Sequence, residues 1–355
     1  MKLGLVGLPQ VGKRTLFRLL TGQEADFEGG KSSVLGLATV RDARFDRLVA
    51  MYRPKKITPA QMVFEVFPDL DLQAGRSAQV FRALEEVDVI CYLARDFEDD
   101  TVFHLDGSVD ARRDIGAFSD ELTLNDMMFV DKRLERLAKE RGRKMDAQRA
   151  DRETELLKRM QTHLEAGRPL LRFEMTDEAL RLVAGYPFLT RKPVVVIVNI
   201  GEDGLGDEAR MQALTGVFPD QAFEGIAVSA KLEQEISLLA PEERAAFLDA
   251  LRIEQPALDR LTQLCYSSLG LISFFTVGGD EVRAWTIRRG SLAPQAGRAI
   301  HADIERGFIR AEVMSYEDHD RLGSEQRVKE AGRLMQKGRD YTVADGDILN
   351  FLFKV

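Results

Sequence analysis

At 355 residues the chain is long for one domain and has room for two or three compact units. With 45% apolar and 30% charged residues, composition excludes a disordered or collagen-like chain and points to a globular protein able to bury its cores. Net charge is −8, yet Gly270 to Val355 balances 13 basic against 13 acidic residues, so a global field for nucleic acid is excluded while a local basic face is not.

No run reaches the roughly 18 to 20 uncharged apolar residues of a bilayer span, and MKLGLVGLPQVGK meets a Gly-rich turn too early for a secretory signal. A cytoplasmic location is expected. Cys91 and Cys265 stand far apart in apolar surroundings, as reduced thiols do, which argues against a disulfide framework or a zinc module. His104, His163, His301 and His319 share no ligand spacing with one another or with the cysteines, and no metal site built from protein side chains is expected.

In chain order, Lys2 to Val6 is a short apolar run ended by Gly7, and Lys13 to Leu20 sets Leu16, Phe17, Leu19 and Leu20 at helical spacing. This predicts strand, tight turn, helix. Asp88 to Ala94, Pro193 to Asn199 and Gly225 to Ser229 are apolar runs with β-branched content. They alternate with the helical patterns Ser77 to Glu86 and Asp207 to Val217. Such runs are buried on both faces, as parallel strands of a doubly wound α/β sheet are.

Asp120 to Arg168 differs, being crowded with Lys, Arg, Glu and Gln. Met127, Val130, Leu134 and Leu137 step by 3, 4 and 3, and Ala147, Ala150, Thr154, Leu157, Met160 and Leu164 resume the rhythm after a break at Gly142. The pattern predicts an α-helical hairpin over 120–184, inserted into a nucleotide-binding domain of 1–119 and 185–268. Its tip, Arg141-Gly142-Arg143-Lys144, is basic, with Lys139, Arg149 and Arg152 beside it. Two readings stay open: a solvated helix pair that stiffens the domain, or an arm that touches an acidic partner such as ribosomal RNA.

After Pro256 an amphipathic helix runs to about Leu269. Short strands follow at Ser273 to Val277, Arg283 to Arg288, Phe308 to Met314 and Ile348 to Val355, with helical patterns at Pro294 to Ile304 and Glu325 to Met335. Residues 269–355 therefore read as a small α+β domain. Phe274, Phe275, Trp285, Phe308 and Tyr316 interleave there with Arg283, Arg288, Arg289, Arg306 and Arg310. They are either the core and solvated face of a sheet or a surface that stacks on bases. His301 and Asp303 read as structural.

The chemistry sits first in GLPQVGKRT, Gly7 to Thr15, which matches G-x-x-x-x-G-K between a predicted strand and helix. Gly7 and Gly12 let the backbone curl so that amides of Gln10, Val11, Gly12 and their neighbours face phosphate oxygens. Lys13 reaches the β and γ groups and is the residue expected to offset charge in catalysis. The competing reading is a strand-to-helix turn without ligand. Where a hydroxyl should ligate Mg²⁺ stands Arg14, which has no lone pair to offer, so metal binding is expected to suffer. Arg14 either neutralises phosphate or extends to solvent, and Thr15 is one residue out of register.

A second signal is N-x-x-E at the end of the third apolar run, with Asn199, Ile200, Gly201 and Glu202, followed by Ser229-Ala230-Lys231 after the next strand. Asn199, Ile200, Glu202, Ser229, Ala230 and Lys231 are the expected base contacts. Glu202 is longer than the Asp that guanine selection uses, and Gly201 removes an apolar shelf, so selection for guanine should weaken. The turn has no G-x-G-x-x-G, which disfavours a dinucleotide-dependent oxidoreductase.

The P-loop text, N-x-x-E, S-A-K, the helical insertion and the tail, with EVRAWTIRRGSLAPQAGRAIHADIERGFIRAEVMSYED and KEAGRLMQKGRDYTVADGDILNFLFKV, resemble the YchF or Obg-like ATPases among the P-loop NTPases. The resemblance covers essentially the whole chain. It implies a G domain interrupted by a coiled-coil hairpin, a C-terminal TGS domain of β-grasp type, acceptance of ATP at least as well as GTP, and ribosome association.

Departures fall on one place. The family P-loop reads N-V-G-K-S; here Gln10 replaces Asn and Arg14 replaces Ser. Where D-x-x-G should follow the second strand, the sequence has Val66, Phe67, Pro68 and Asp69, and Asp69 and Asp71 lie on the order of 10 Å beyond the aspartate's place. The first switch reads FEGGKSSVLG, with Ser32 or Ser33 as the available hydroxyl. Loss of both metal anchors raises the hydrolysis barrier by roughly several kcal/mol. The expectation is a purine-nucleotide-binding protein (ATP or GTP, Mg²⁺ weakened) with slow or absent hydrolysis. The alternative is a non-catalytic adaptor that keeps the fold for protein or RNA contacts.

Overall fold

The computed structural model describes residues 1–354 apart from 28–31, 72–76, 105–106, 141–146, 206, 217–220 and 222. Its first seven strands are β1 (Lys2–Gly7), β2 (Val34–Thr39), β3 (Lys56–Thr58), β4 (Gln61–Val66), β5 (Val89–Asp96), β6 (Val194–Ile200) and β7 (Glu224–Val228). All but β3 form one sheet in the order β2-β4-β1-β5-β6-β7, and β1, β4, β5, β6 and β7 pair in parallel. β6 is buried at every residue and β5 at every residue but its last, because helices cover both faces of a parallel sheet. The doubly wound expectation holds, with strand ends shifted by one or two residues.

A helix of 30 residues, Ala111–Glu140, starts beneath this sheet and carries the hairpin. At its root Phe118 stacks on Tyr92 of β5 with ring centroids 4.2 Å apart, and the Tyr92 hydroxyl donates to the Asp114 carbonyl at 3.1 Å. Farther out Val130 and Leu137 meet Leu157, Met160 and Leu164 of the return helix, Ala147–Glu165, with Met127 and Leu134 packed alongside. The predicted seam is therefore the hairpin's core, except that Ala147 is exposed. The basic tip Arg141-Gly142-Arg143-Lys144 lies outside the described residues. Of the neighbouring cations, Arg152 pairs with Glu178 at 2.6 Å and Lys139 with Glu135 at 3.8 Å.

The hairpin closes on Asp126. Its buried carboxylate accepts the Leu189 and Thr190 amides at 2.8 and 2.9 Å and the Thr190 hydroxyl at 2.6 Å, which pins the returning chain to the long helix.

The remaining strands are β8 (Leu271–Thr276), β9 (Glu281–Arg288), β10 (Phe308–Met314), β11 (Met335–Lys337) and β12 (Ile348–Phe353). With β3 they make a mixed sheet ordered β11-β10-β12-β8-β9-β3, in which β12 runs parallel to β8 and the other pairs among β8 to β12 are antiparallel. The helix Ala293–Ile300 covers it, as the α+β expectation requires. Phe274, Phe275 and Phe308 are buried, so the base-stacking reading fails for them and the core reading stands. Trp285 is half-buried. Its Nε1 donates to Thr276 Oγ1 at 2.9 Å, and the Arg283 guanidinium lies 3.7 Å from its ring centroid. The pattern Glu325 to Met335 is helical only to Glu330.

By packing, the chain forms two compact units, 1–36 with 63–258 and 37–62 with 259–355. The hairpin stays within the first, and residues 37–62, which the sequence reading assigns to the nucleotide-binding domain, go with the second. The cause is a set of contacts across more than 200 residues of chain. β3 pairs in parallel with β9, and Arg44 joins Asp42 and Asp345, which together raise its pKa against burial. The Tyr52 hydroxyl lies 2.7 Å from Nε2 of the fully buried His319.

Burial raises the Asp126 carboxyl to about 6 from 3.8, outweighing its hydrogen bonds. An acid whose folded pKa is raised binds its proton more tightly when folded, so stability declines as pH climbs from 3.8 through about 6. Against Asp126→Asn, wild-type unfolding free energy should fall by on the order of 3 kcal/mol between pH 4 and 7, as measured by urea denaturation at each pH. A flat difference contradicts this.

Candidate functional site

β1 delivers the chain to Gly7, and the backbone turns before the helix Lys13–Thr21. A Cβ at Gly7 would sit 2.6 Å from the Leu93 carbonyl on β5, so only glycine lets the turn lie this close to the next strand. Gly12 has φ of 93° and is the helix N-cap; a side chain there would also collide with Asn199. Gln10 has φ of 61°, a left-handed conformation that costs a non-glycine residue about 1–2 kcal/mol. No side chain caps the helix, and its first turn holds Lys13 and Arg14 with no acid. A helix N-terminus of this kind attracts anions.

Lys13 is 3% exposed. Its Nζ lies 3.3 Å from the Gly7 carbonyl and 2.9 Å from Asp69 Oδ1. Burial lowers its pKa, opposed by Asp69 and helped by Arg14. Distance along the chain discounts Asp69, but the loop after β4 folds back: the Leu70 amide donates to the Gly7 carbonyl at 3.0 Å and carries the neighbouring carboxylate to the lysine. Arg14 follows the second open reading: it is exposed, with its guanidinium 5.4 Å from the Phe27 ring centroid.

From the P-loop a cavity of about 820 Å³ extends over the carboxyl ends of β5, β6 and β7. Gln10, Gly12 and Thr15 line one side. Asn199, Ile200, Glu202, Ser229, Ala230 and Lys231 line the other, so both predicted groups meet around one space. Gly7, Val11, Lys13 and Arg14 are not part of its lining. Asn199 is 5% exposed and braces the cavity rather than facing it freely. Its Nδ2 donates to the Val11 carbonyl at 2.9 Å and its Oδ1 accepts the Ala230 amide at 3.0 Å. The Ser229 hydroxyl accepts from the Leu232 amide, capping the helix Ala230–Leu238. Glu202 and Lys231 form an exposed ion pair at 2.8 Å, which raises the lysine's pKa.

Sequence reading missed the wall after β5, made by Phe97, Glu98, Asp99, Thr101 and Val102. Arg95, 1% exposed, shapes it by donating to the Phe97 and Val102 carbonyls, each at 3.0 Å, with its guanidinium 4.5 Å from the Phe97 ring centroid. The available signal was position: loops at the carboxyl edge of a parallel sheet are where such folds hold ligands.

The residues do not fit a Mg²⁺ ion held in the usual P-loop manner. Arg14 occupies the place of the hydroxyl ligand and Val66, at the aspartate's place, is fully buried. Asp69 is engaged with Lys13, and the Ser33 hydroxyl donates to Glu65 at 2.6 Å. Among the described residues no group of three or more His, Cys, Asp or Glu is placed to hold a metal ion. No described helix is long and apolar enough to cross a membrane.

Comparison with known proteins gives the relatives of this chain. The C-terminal YchF GTPase family model, described as "Protein of unknown function (DUF933)", matches residues 271–354. The chain is 37% identical to the ribosome-binding ATPase YchF of Bacillus subtilis, over 99% of each chain. It is 36% identical to human Obg-like ATPase 1, over 99% of this chain and 92% of the relative. Among solved structures, the Schizosaccharomyces pombe YchF GTPase superposes with a TM-score of 0.85 at 29% identity, over 99% of this chain and 97% of that one. A GTP-binding protein of Pyrococcus horikoshii superposes at 0.59 with 15% identity over the full length of both, a likeness of fold.

Asn199→Ala leaves the Val11 carbonyl and Ala230 amide without their partner, and should lower stability by about 1–3 kcal/mol in urea denaturation. Gly12→Ala should be worse, because it adds backbone strain to the collision with Asn199. Wild-type stability in Asn199→Ala would disprove the brace.

Proposed function

The chain belongs to the YchF family of Obg-like ATPases, and on that premise we propose that it binds a purine nucleotide in the cavity between the P-loop and the loops after β5 to β7, hydrolyses it slowly or not at all, and associates with the ribosome. The observation that carries the reading is the junction of both predicted groups around one cavity, with Asn199 tying the P-loop to the Ser229-Ala230-Lys231 turn.

Main-chain amides of Gln10 to Lys13 and the uncapped helix N-terminus receive the phosphates, and Lys13 supplies a buried positive charge beside them. Thr15 borders the same space. At the base end, Lys231 holds Glu202 in an ion pair and so competes with the N–H groups by which guanine would be selected. That supports acceptance of adenine at least as readily as guanine. Hydrolysis is slowed because phosphoryl transfer depends on neutralising developing charge, and the side chains that would anchor a metal are replaced or engaged elsewhere.

Ribosome association is carried over from the ribosome-binding ATPase YchF of Bacillus subtilis, with the helical hairpin and the C-terminal sheet as the contact surfaces. One observation favours the adaptor alternative: Lys13 already has a carboxylate partner in Asp69.

Calorimetric titration of purine nucleotides with magnesium and with EDTA, run beside phosphate-release assays, tests the reading. The expected result is roughly micromolar affinity that changes less than about threefold with EDTA, and phosphate release at least about 100-fold slower than a family member carrying the intact motifs. Brisk magnesium-dependent turnover refutes slow hydrolysis, and absence of binding leaves the adaptor. Cosedimentation with purified ribosomes tests the association.

A further inference from the structure

Asp69 lies beside the P-loop lysine. The base end of the cavity is built by the loops after β6 and β7, and the P-loop follows β1. β4 flanks β1 on the side away from β5, β6 and β7. A nucleotide with its base near Asn199 and its first phosphates on the P-loop amides therefore points any further phosphate toward the loop after β4. That loop presents Asp69, whose Oδ1 is 2.9 Å from Lys13 Nζ.

The carboxylate is held there. The Leu70 amide is bonded to the Gly7 carbonyl at 3.0 Å, the same oxygen that lies 3.3 Å from Lys13 Nζ. Phe67 and Leu70, on either side of Asp69, are fully buried and anchor the loop. In the D-x-x-G register Asp69 replaces the glycine, so a position that offers a neutral amide in the motif here offers a negative charge.

We propose that Asp69 is a resident substitute for the third phosphate, and that the site therefore selects nucleoside diphosphates over triphosphates. This deepens the nucleotide-binding reading and rests on it. A diphosphate ends before the carboxylate and still profits from Lys13. A triphosphate brings an anion against Asp69, competes for the same ammonium, and finds no anchored metal to neutralise the pair. The Asp69 side chain is 43% exposed, so solvent screens part of the repulsion and the discrimination should be moderate, about 10- to 100-fold.

The test is calorimetry on the full chain in EDTA with ADP and ATP, for wild type, Asp69→Asn and Asp69→Gly. Wild type should bind ADP at least about tenfold more tightly than ATP, and both variants should bring the two affinities within about threefold, mainly through tighter ATP binding. Equal affinities in wild type overturn the proposal while leaving nucleotide binding intact, and this arm does not depend on either variant folding. Undiminished ADP preference in folded variants, verified by circular dichroism, also overturns it, since selectivity would then come from another group. Failure of wild type to bind either nucleotide removes the nucleotide-binding reading together with this inference.

Discussion

The Asn199 carboxamide spans two loops that chemistry requires to keep a fixed separation. One end takes the P-loop through the Val11 carbonyl, and the other takes the start of the helix Ala230–Leu238 through the Ala230 amide. Because the group is buried, water cannot stand in for either partner, and each lost bond carries a desolvation penalty as well as the bond itself. Gly12 is bound up in the same constraint, since the carboxamide occupies the volume that any larger residue would need. The P-loop side of the cavity and its Ser229-Ala230-Lys231 side are thus tied together by one side chain.

Electrostatics at the P-loop are set by neighbouring side chains. A lysine with almost no solvent access keeps a carboxylate close at hand, and the two stand together on a carbonyl of the same loop. Arg14, displaced from any metal chemistry by its lack of a lone pair, rests on an aromatic ring at the surface. The charge of the P-loop lysine is thus met by a carboxylate of the protein itself.

Much of this was legible in the amino acids. Periodicity located the hairpin seam, because Val130, Leu137, Leu157 and Met160 repeat at the spacing a helix imposes, and the runs that became β5 and β6 are apolar at nearly every position because both faces are covered. The glycines and lysine of the P-loop announce their own backbone conformation. What stayed hidden depends on contacts distant in sequence. Nothing local in the segment around Arg44 and Tyr52 says that it will be held by Asp345 and His319. The contact of Asp69 with Lys13 stayed hidden for a related reason: an extended-chain distance has no knowledge of a loop turned back by the Leu70 amide. Arg95 escaped notice because a buried arginine serving carbonyls leaves no motif.

The long helix has its root packed against β5 by the Phe118 and Tyr92 rings and continues without interruption into the hairpin. Thirty residues of α-helix extend about 45 Å, so the element acts as a lever whose fulcrum adjoins the sheet. From Phe118 to its end at Glu140 the helix runs about 33 Å, so a tilt of roughly 5° at that fulcrum would carry the far end through about 3 Å, on the scale of a side-chain contact made or broken. A small change of tilt near β5 would thereby be magnified along the helix toward Glu140.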